Sequence, residues 1–320
     1  MAAGAKYSTV TEGRALRLGG THPARVLVTG ATGFSARYVI PILRSAGHEV
    51  FELARGIQPD AHRVACEIRD AAALRDALAR IGPEYVVHLA GTPNLPDSSA
   101  ELAFSVNVQG TVNLLEACGA LPRKPAKIVL ASSAYVYGDT GSEPADEGAP
   151  LKPTNEYGRS KLEMERAAGS WFGKLPIVIL RPFNYTGVGH EQCFLVPKLV
   201  KLFRERGDDA SFVDPNVVRD FSDVRWVARV YAQALGLPDS GRAINVCSGE
   251  GTPLGALVTT LERLTGHRIA KRPGGGPPAG PAQRMVGSPR SIHGLLGRSP
   301  FRLEETLEWM MRVPAGAAAG

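Results

Sequence analysis

The segment Ala24–Ala36, with the sequence ARVLVTGATGFSA, decides the fold. Its first six residues form a short apolar run, which predicts a buried β-strand. A turn that contains Gly30 and Gly33 follows, and a helix is predicted over Phe34–Ala46. Glycines let the backbone turn tightly, and they let a pyrophosphate approach the amide groups at the helix N-terminus, where the helix dipole favours anions. The segment therefore predicts a strand–turn–helix unit that can bind a dinucleotide.

Strands and helices alternate downstream of this unit. Further strands are predicted at Glu49–Leu53, Arg63–Ile68, Tyr85–Ala90, Ala126–Ala131 and Ile177–Leu180. Helices are predicted over Ala71–Arg80, over Ser99–Cys118 and over the segment that carries Tyr157 and Lys161. Because strands that alternate with helices at this spacing form βαβ units, the fold class is α/β, a doubly wound parallel sheet covered on both faces.

The alternation loosens after Arg181, which indicates a second, smaller C-terminal α/β domain. The predicted elements there are a loop over Pro182–Gln192, helices over Val196–Arg206, Asp223–Leu235, Pro253–Leu264 and Leu303–Met311, a strand at Ala243–Cys247 and a Gly/Pro-rich surface loop over Pro273–Pro281. We therefore predict a flexible tail at 1–22, a dinucleotide-binding domain at 23–181 to which 214–236 returns, a substrate-binding domain at 182–213 and 237–313, and a flexible tail at 314–320.

Composition narrows the functional class. The apolar fraction of 44% and the charged fraction of 21% are typical of a soluble globular protein. The net charge of +6 comes from scattered basic residues, so nucleic-acid binding is not expected. No apolar stretch approaches the roughly 20 residues of a membrane span. The four cysteines lie far apart without metal-ligand spacing, which predicts free thiols, no metal site and a reducing, cytoplasmic environment.

Tyr157 and Lys161 stand four residues apart, so one turn of helix places the phenol and the ammonium on the same face. Ser133 lies upstream, where an apolar run ends. A phenol has an ordinary pKa of about 10, and a neighbouring cation favours the phenolate. Such a tyrosine can exchange a proton with a carbonyl or alcohol oxygen. The spacing alone occurs often by chance, so its meaning depends on the other motifs.

Four motifs occur here in the order found in extended short-chain dehydrogenases/reductases: Thr29–Ala36, Ser132–Gly138, the pair Tyr157 and Lys161, and Arg181–Asn184. From about Ala24 to Val313 the chain resembles members of that family that act on nucleotide sugars, and its motifs are most similar to those of GDP-4-keto-6-deoxy-mannose reductases. The resemblance implies a Rossmann-type fold and a homodimer packed through the helices near Ser99–Cys118 and Tyr157–Trp171.

The resemblance also implies roles for individual residues. Ser133 would polarise the substrate oxygen, Tyr157 would donate or accept the proton, and Lys161 would hold the nicotinamide ribose and lower the pKa of the phenol. Tyr157 is implied to bind the cofactor as well as Lys161. The other implied cofactor-binding residues are Gly30, Thr32, Gly33, Phe34, Ser35, Arg55, Glu67, Ile68, Leu89, Ala90, Gly91, Asn107 and Phe183. The implied substrate-binding residues are Ser133, Asn184, Arg219 and Arg284.

The end of the second strand indicates which cofactor is used. An acidic residue there would hydrogen-bond an adenosine ribose and repel a 2′-phosphate. This chain has Ala54 at the usual acidic position, and Arg55 follows. A guanidinium can pair with the extra phosphate of NADP, so NADP(H) is the predicted cofactor. The alternative is that Arg55 is a solvated surface residue.

The residues after Ser133 indicate the reaction. The family's sugar 4,6-dehydratases carry an Asp-Glu pair there, whereas this chain has Ala134 and Tyr135, which argues against dehydration. The preferred prediction is NADPH-dependent reduction of a GDP- or dTDP-4-keto-6-deoxyhexose. The alternatives are a nucleotide-sugar epimerase with tightly bound NAD(P) and a non-catalytic NADP-sensing regulatory protein. Tyr135 occupies the position of an acid/base cysteine in related 3,5-epimerase/reductases, and neither it nor His190 is assigned a catalytic role.

Overall fold

The computed structural model describes residues 23–92, 99–210, 214–269 and 283–313. The strands are β1 Arg25–Thr29, β2 Glu49–Ala54, β3 Arg63–Ala65, β4 Tyr85–His88, β5 Lys127–Ala131, β6 Ile177–Pro182, β7 Asn184–Thr186, β8 Val218–Asp223, β9 Arg242–Val246, β10 Gly251–Pro253 and β11 Arg284–Met285. The α-helices are α1 Ala36–Ser45, α2 Ala71–Ile81, α3 Ala100–Phe104, α4 Gly110–Ala120, α5 Glu156–Gly169, α6 Leu195–Arg204, α7 Val224–Ala234, α8 Leu254–Thr265, α9 Arg290–Leu296 and α10 Leu303–Arg312. The predicted tails and the Pro273–Pro281 loop lie outside the described residues.

Seven of these strands form one parallel sheet in the order β3-β2-β1-β4-β5-β6-β9. Along β1, Val26 and Val28 pack into the layer that contains α1 and α7, whereas Leu27 packs into the layer of α2, α4 and α5. Successive side chains of a strand point to opposite faces, so a strand with every second residue in a different apolar layer is buried on both sides. The predicted doubly wound parallel sheet is confirmed.

A smaller sheet lies beside the large one. β8 is its central strand, and it pairs with β10 in the antiparallel sense and with β7 and β11 in the parallel sense. Residues of α6, α8 and α10 form a separate apolar cluster against it. The carboxyl ends of β5 and β6 of the large sheet lead into the space between the two sheets, because β6 is followed almost directly by β7.

Several predicted elements differ from the structure. β7 falls in a segment predicted as loop, and β8, β10, β11 and α9 were not predicted. These strands have two to six residues and find their partners far away in sequence, so local periodicity does not reveal them. Strand β9 also lies within the predicted substrate domain, yet it pairs with β6 as the seventh strand of the large sheet. The domain boundaries stay a prediction.

The long helix predicted over Ser99–Cys118 is interrupted. A π-helical segment, Ser105–Gln109, separates α3 from α4. A π-helical turn adds a residue to the ordinary spacing and often occurs at functional sites. Here it contains Asn107, whose side chain is buried. None of the helices in the described parts of the chain has the length and apolar content required to cross a membrane.

Candidate active site

Helix α5 positions Tyr157 and Lys161. The helix begins after Asn155, whose side-chain oxygen accepts a hydrogen bond from the Gly158 backbone N at 2.8 Å, as an N-cap residue should. Gly158 packs directly against the chain after Ser133, because a Cβ added there would lie 2.5 Å from the Tyr135 carbonyl oxygen. The first turn of α5 is therefore fixed against the end of β5.

Ser133 follows β5 and begins a short 3₁₀ turn, Ala134–Val136. Its side chain hydrogen-bonds to the Tyr157 phenol. The Lys161 ammonium donates to the carbonyl oxygen of Ala131, the last residue of β5, at 2.8 Å. The end of one strand and the first two turns of one helix thus bring the three predicted catalytic side chains together.

These three residues line a cavity of about 370 Å³ between the glycine turn, the ends of β4, β5 and β6, and the small sheet. The predicted site residues that line it are Gly30, Gly33, Phe34, Ser35, Leu89, Gly91, Ser133, Tyr157, Lys161, Phe183 and Asn184. The predicted site residues that do not line it are Thr32, Arg55, Glu67, Ile68, Ala90, Asn107, Arg219 and Arg284. Their roles in binding stay predictions.

The backbone around the glycine turn fits a dinucleotide. Gly30 has φ +67°, and a Cβ there would lie 2.7 Å from the Ala90 backbone N. A Cβ on Gly91 would lie 2.9 Å from the Asn107 side-chain oxygen and 3.1 Å from the Lys161 ammonium. Gly30 and Gly91 both line the cavity, and close packing against other protein atoms leaves no room for a side chain at either position. Glycine main chain at a helix N-terminus is typical of pyrophosphate-binding turns.

Replacement of Gly30 with alanine tests this close packing. We expect the free energy of unfolding to fall by more than about 2 kcal/mol, because a left-handed backbone and a steric clash with the end of β4 act together. Gly47→Ala is the matched control: Gly47 has φ +84°, but an added Cβ would meet no atom within 4 Å. That variant should lose only the backbone term of about 1–2 kcal/mol. Equal losses in urea denaturation would contradict the packing argument.

Burial governs the protonation of the site. It raises the pKa of the Tyr157 phenol above its usual value, the Ser133 hydrogen bond opposes this, and Tyr185 and Tyr135 add to it. The Lys161 ammonium donates to Ala131, and the lowering of the phenol pKa by Lys161 stays a prediction. Tyr157 is therefore a protonated donor at neutral pH.

Burial also lowers the pKa of Lys161 to about 8, and the Glu165 carboxylate opposes the shift. His88 and His190 have their pKa values lowered by burial to about 3 and about 4, so neither changes charge near pH 8. Of these cavity and near-cavity groups, Lys161 is the one that titrates in that range.

The pH dependence of cofactor binding should follow Lys161. Above pH 8 the ammonium loses its proton, and a hydrogen bond from a charged donor is worth about 1 kcal/mol more than one from a neutral donor. We expect affinity for NADPH, measured by its fluorescence, to fall about fivefold between about pH 7 and about pH 9.5. Lys161→Met should bind weakly at both values. A fall of the same size in Lys161→Met would assign the effect to another group.

Asn107 supports the site from outside the cavity. Its side-chain N donates to the Ser160 hydroxyl at 2.8 Å, and its side-chain oxygen accepts from the Thr92 backbone N at 3.1 Å. Ser160 precedes Lys161 on α5. Asn107 therefore ties the π-helical segment to the catalytic helix and to the end of β4.

The predicted adenosine-binding residues lie at the edge of the large sheet. The Arg55 side chain is 71% exposed, and its guanidinium lies 3.6 Å from the Glu67 carboxylate. Arg69 pairs with the same carboxylate at 3.0 Å. Ile68 is buried against Gly110 of α4. Two cations thus share the Glu67 carboxylate at this edge of the sheet.

The three predicted substrate-binding residues beyond Ser133 differ in their positions. Asn184 lines the cavity, and its buried side-chain oxygen has no hydrogen-bond partner among the described residues. Arg219 donates to the Tyr135 hydroxyl at the cavity wall. In the small sheet Arg284 pairs with Val218 and Met285 pairs with Arg219. Paired residues share a face, so Arg284 points away from the face of Arg219.

Sequence reasoning missed the aromatic residues that close one side of the cavity. The Tyr185 hydroxyl hydrogen-bonds the Ser35 hydroxyl at 2.8 Å. The His190 ring stacks between Phe34 and Phe194, with centroid distances of 4.3 and 4.4 Å. The signal available in the sequence is the set of ring side chains in and just after the predicted loop Pro182–Gln192. These contacts join the glycine turn to β7 and to the segment that leads into α6.

Sequence reasoning also missed a buried polar network behind Ser133. The neighbouring Ser132 hydroxyl donates to a Glu165 oxygen at 2.5 Å. Arg181 makes a two-bonded ion pair with Glu165, at 2.6 and 2.9 Å, and donates to the Tyr137 hydroxyl at 2.8 Å. Arg181 was part of a recognised motif without an assigned role. The network links β5, β6 and the catalytic helix.

The doubly wound sheet, together with Ser133, Tyr157 and Lys161 at one cavity, defines an extended short-chain dehydrogenase/reductase. Residues 26–247 match the NAD dependent epimerase/dehydratase family, and the chain belongs to that family.

Two curated relatives illustrate the range of activities among similar proteins. The chain is 26% identical to GDP-6-deoxy-D-talose 4-dehydrogenase of Aggregatibacter actinomycetemcomitans, over 77% of this chain and 81% of the relative. It is 28% identical to UDP-glucose 4-epimerase of Lacticaseibacillus casei, over 86% and 91%. Both names are those of nucleotide-sugar enzymes.

Two solved structures share the fold. One is that of an epimerase candidate from Burkholderia cenocepacia J2315, 36% identical, with a TM-score of 0.82 and coverage of 91% of this chain and 98% of the other. The second is RMD from Pseudomonas aeruginosa complexed with NADPH, 25% identical, with a TM-score of 0.76 and coverage of 90% and 98%. The second of these similar proteins therefore binds NADPH.

Proposed function

We propose that the protein reduces a nucleotide-activated keto-deoxy sugar, of the GDP- or dTDP-4-keto-6-deoxyhexose type, with NADPH. The observation that carries this proposal is the chemistry of the cavity wall. Among the described residues that line the cavity, Glu191 is the one carboxylate, and it lies in the loop after β7 rather than beside Ser133. Buried Ala134 and half-buried Tyr135 follow Ser133. The wall therefore supplies hydroxyl and ammonium groups, as a carbonyl reduction needs.

Ser133, Tyr157 and Lys161 would have different roles at the reacting carbonyl. Ser133 and Tyr157 present two hydroxyls to one point, so both can hydrogen-bond a carbonyl oxygen placed there. Tyr157 is protonated and can donate its proton as negative charge develops on that oxygen. When the Lys161 ammonium is charged, it stabilises the resulting phenolate. NADPH would supply the hydride; the glycine turn, Lys161 and Phe183 would hold it.

Asn184 and Arg219 would hold the substrate. The Asn184 oxygen is buried at the cavity and can accept a hydrogen bond from a sugar hydroxyl. Arg219 stands at the wall formed by Tyr135, and a guanidinium suits the geometry of a diphosphate. The sugar would then lie between Ser133 and the small sheet.

The preference for NADP(H) rests on the end of β2. Ala54 leaves no carboxylate at the strand end to bind an adenosine ribose, and Arg55 with Arg69 surrounds the single carboxylate of Glu67. An exposed guanidinium that is held 3.6 Å from a carboxylate can turn towards a 2′-phosphate at small cost.

Arg55→Ala should weaken NADPH binding about tenfold and change NADH binding less than twofold, since a charge-assisted bond is worth about 1.5–3 kcal/mol. Fluorescence titration of both cofactors measures this. Arg63→Ala, which removes another partly exposed arginine from the neighbouring strand, is the control and should alter neither. Equal loss for NADPH and NADH would show that Arg55 does not read the 2′-phosphate.

An epimerase is the second candidate, and the 36% identity to the Burkholderia cenocepacia epimerase candidate favours it. The same hydroxyl pair can remove a proton from a sugar alcohol and return it, while a tightly bound, oxidised NAD(P) would accept the hydride and return it. The two functions differ in consumption of NADPH and in whether the purified protein already carries a dinucleotide.

One assay separates these functions. Purified protein is mixed with NADPH and GDP-4-keto-6-deoxy-mannose or dTDP-4-keto-6-deoxy-glucose, and absorbance at 340 nm is followed. Loss of absorbance with formation of a deoxysugar nucleotide supports the reductase. Interconversion of UDP-glucose and UDP-galactose without net change of absorbance supports the epimerase. The proposal is refuted if neither reaction is observed and Tyr157→Phe behaves as wild type.

We further propose a homodimer packed through α3, α4 and α5. Leu102 of α3, 40% exposed, is the large hydrophobic side chain that the described part of the chain leaves on the surface. Burial of such a side chain in a helical interface is favourable. Sedimentation tests this proposal: wild type should have the mass of a dimer, and Leu102→Glu should have a lower mass.

A further inference from the structure

Tyr135 contacts three functional groups at once. Its backbone N donates to the Ser133 hydroxyl oxygen at 3.3 Å. Its ring meets the Tyr157 ring edge-on, with 5.7 Å between the centroids and 79° between the planes. Its hydroxyl accepts a hydrogen bond from Arg219. One side chain therefore spans the distance from the proposed diphosphate-binding arginine to the proposed proton donor.

The main chain of Tyr135 is held firmly. It belongs to the 3₁₀ turn that Ser133 caps. Gly158 of α5 packs so closely on the Tyr135 carbonyl oxygen that an added Cβ would lie 2.5 Å from it. A shift at Arg219 can therefore reach Tyr157 through the Tyr135 ring, since the backbone on either side is fixed.

Arg219 is oriented by main-chain carbonyl groups of β8 and of the residue before β11. Its guanidinium donates to the carbonyl oxygens of Val218 at 2.9 Å and Gln283 at 3.4 Å, and the Asp139 carboxylate lies close enough to influence it. A guanidinium carries five N–H donors in a planar fork that matches phosphate oxygens. The hydrogen bond to the Tyr135 hydroxyl thus helps to fix the orientation of the Arg219 guanidinium at the cavity wall.

We propose that Tyr135 is a positioning residue that couples a nucleoside diphosphate held at Arg219 to the orientation of Tyr157. The inference rests on the proposed function, because it needs a nucleotide-sugar substrate. Its hydroxyl acts on nucleotide binding by fixing Arg219. Its ring acts on proton transfer by fixing Tyr157.

Binding of UDP, GDP and dTDP by calorimetry tests the first half. Tyr135→Phe removes the hydroxyl and keeps the ring, so we expect the affinity for the nucleotide that binds wild type to fall about fivefold. Arg219→Lys should reduce it at least as much, and the double variant should be no weaker than Arg219→Lys alone. Tyr38→Phe, which removes a buried hydroxyl that donates to the Val188 carbonyl oxygen outside the cavity, should leave nucleotide affinity unchanged.

The separate effects on KM and kcat test whether the Tyr135 ring acts on proton transfer. The substrate is the nucleotide sugar that is active in the assay above. Tyr135→Phe should raise KM and leave kcat within about twofold, because the ring contact with Tyr157 persists. Tyr135→Ala should also lower kcat by about tenfold or more. Circular dichroism of each variant verifies that it is folded.

The outcomes distinguish this inference from the proposed function. If wild type binds none of the three nucleotides, both fail. If wild type binds one and Tyr135→Phe binds it equally well, or if the losses of the two single variants multiply in the double variant, the coupling is refuted and the proposed function stands. A fall of kcat with unchanged KM in Tyr135→Phe also refutes it, because the hydroxyl would then act in the chemical step.

Discussion

Tyr157→Phe should lower kcat by about 10²–10⁴-fold, the usual contribution of a positioned general acid. The variant loses a hydroxyl that hydrogen-bonds Ser133 and whose raised pKa keeps its proton available at neutral pH. The ring and its edge-on contact with Tyr135 remain, so the shape of the cavity is preserved. The loss should appear in turnover, measured by steady-state kinetics with saturating NADPH and nucleotide sugar.

Two controls define this result. NADPH affinity of Tyr157→Phe should stay within about threefold of wild type, since the glycine turn and Lys161 are untouched. Tyr185→Phe removes a hydroxyl from the same cavity that bonds Ser35 rather than Ser133, and it should retain far more turnover. If Tyr157→Phe and Tyr185→Phe lose turnover equally, Tyr157 is not the proton donor.

Glu165→Gln should be the most destabilising of the substitutions considered. Glu165 and Arg181 form a two-bonded ion pair with side chains only 7% and 6% exposed. Removal of one charge leaves the other buried without compensation, which costs about 3–5 kcal/mol. The Ser132 hydroxyl loses its charged acceptor at the same time. The free energy of unfolding from urea denaturation measures the effect.

Glu163→Gln is the matched control, two residues away on the same helix. Glu163 pairs with Arg166 at 2.5 Å, but the two side chains are 43% and 66% exposed, and such pairs contribute less than about 1 kcal/mol. A second variant, Glu165→Leu with Arg181→Leu, removes both buried charges and should recover much of the stability lost in Glu165→Gln. A loss below 1 kcal/mol in Glu165→Gln would contradict the assignment of a structural ion pair.

The large sheet is predictable because each of its strands carries a local signal. Val26 and Val28 alternate with Leu27 in an apolar run that a Gly turn ends, and burial on both faces follows from that pattern. The proximity of Ser133 to Tyr157 follows in turn, because both lie at the carboxyl edge of a parallel sheet. The small sheet has no such signal, since β8 pairs with residues 30 to 70 positions away.

Charge and burial were the hardest features to predict. The sequence places Lys161 one turn from Tyr157, but it does not reveal that the ammonium donates to Ala131 or that the phenol is desolvated. The resemblance implies that Arg219 and Arg284 both bind the substrate, but the register of β11 and β8 puts their side chains on opposite faces of the small sheet. Both differences depend on side-chain direction in three dimensions, which spacing in one dimension does not fix.

The pairing of β9 with β6 has a consequence for how the chain folds. Residues 183–241 lie between two neighbouring strands of one sheet, and α7, from the same interval, packs on α1 near the beginning of the chain. A nascent chain that has emerged from the ribosome only as far as residue 182 would expose the edge of β6 and the apolar face of α1 together. The dinucleotide-binding half is thus completed late in synthesis, and contacts this distant in sequence are formed slowly.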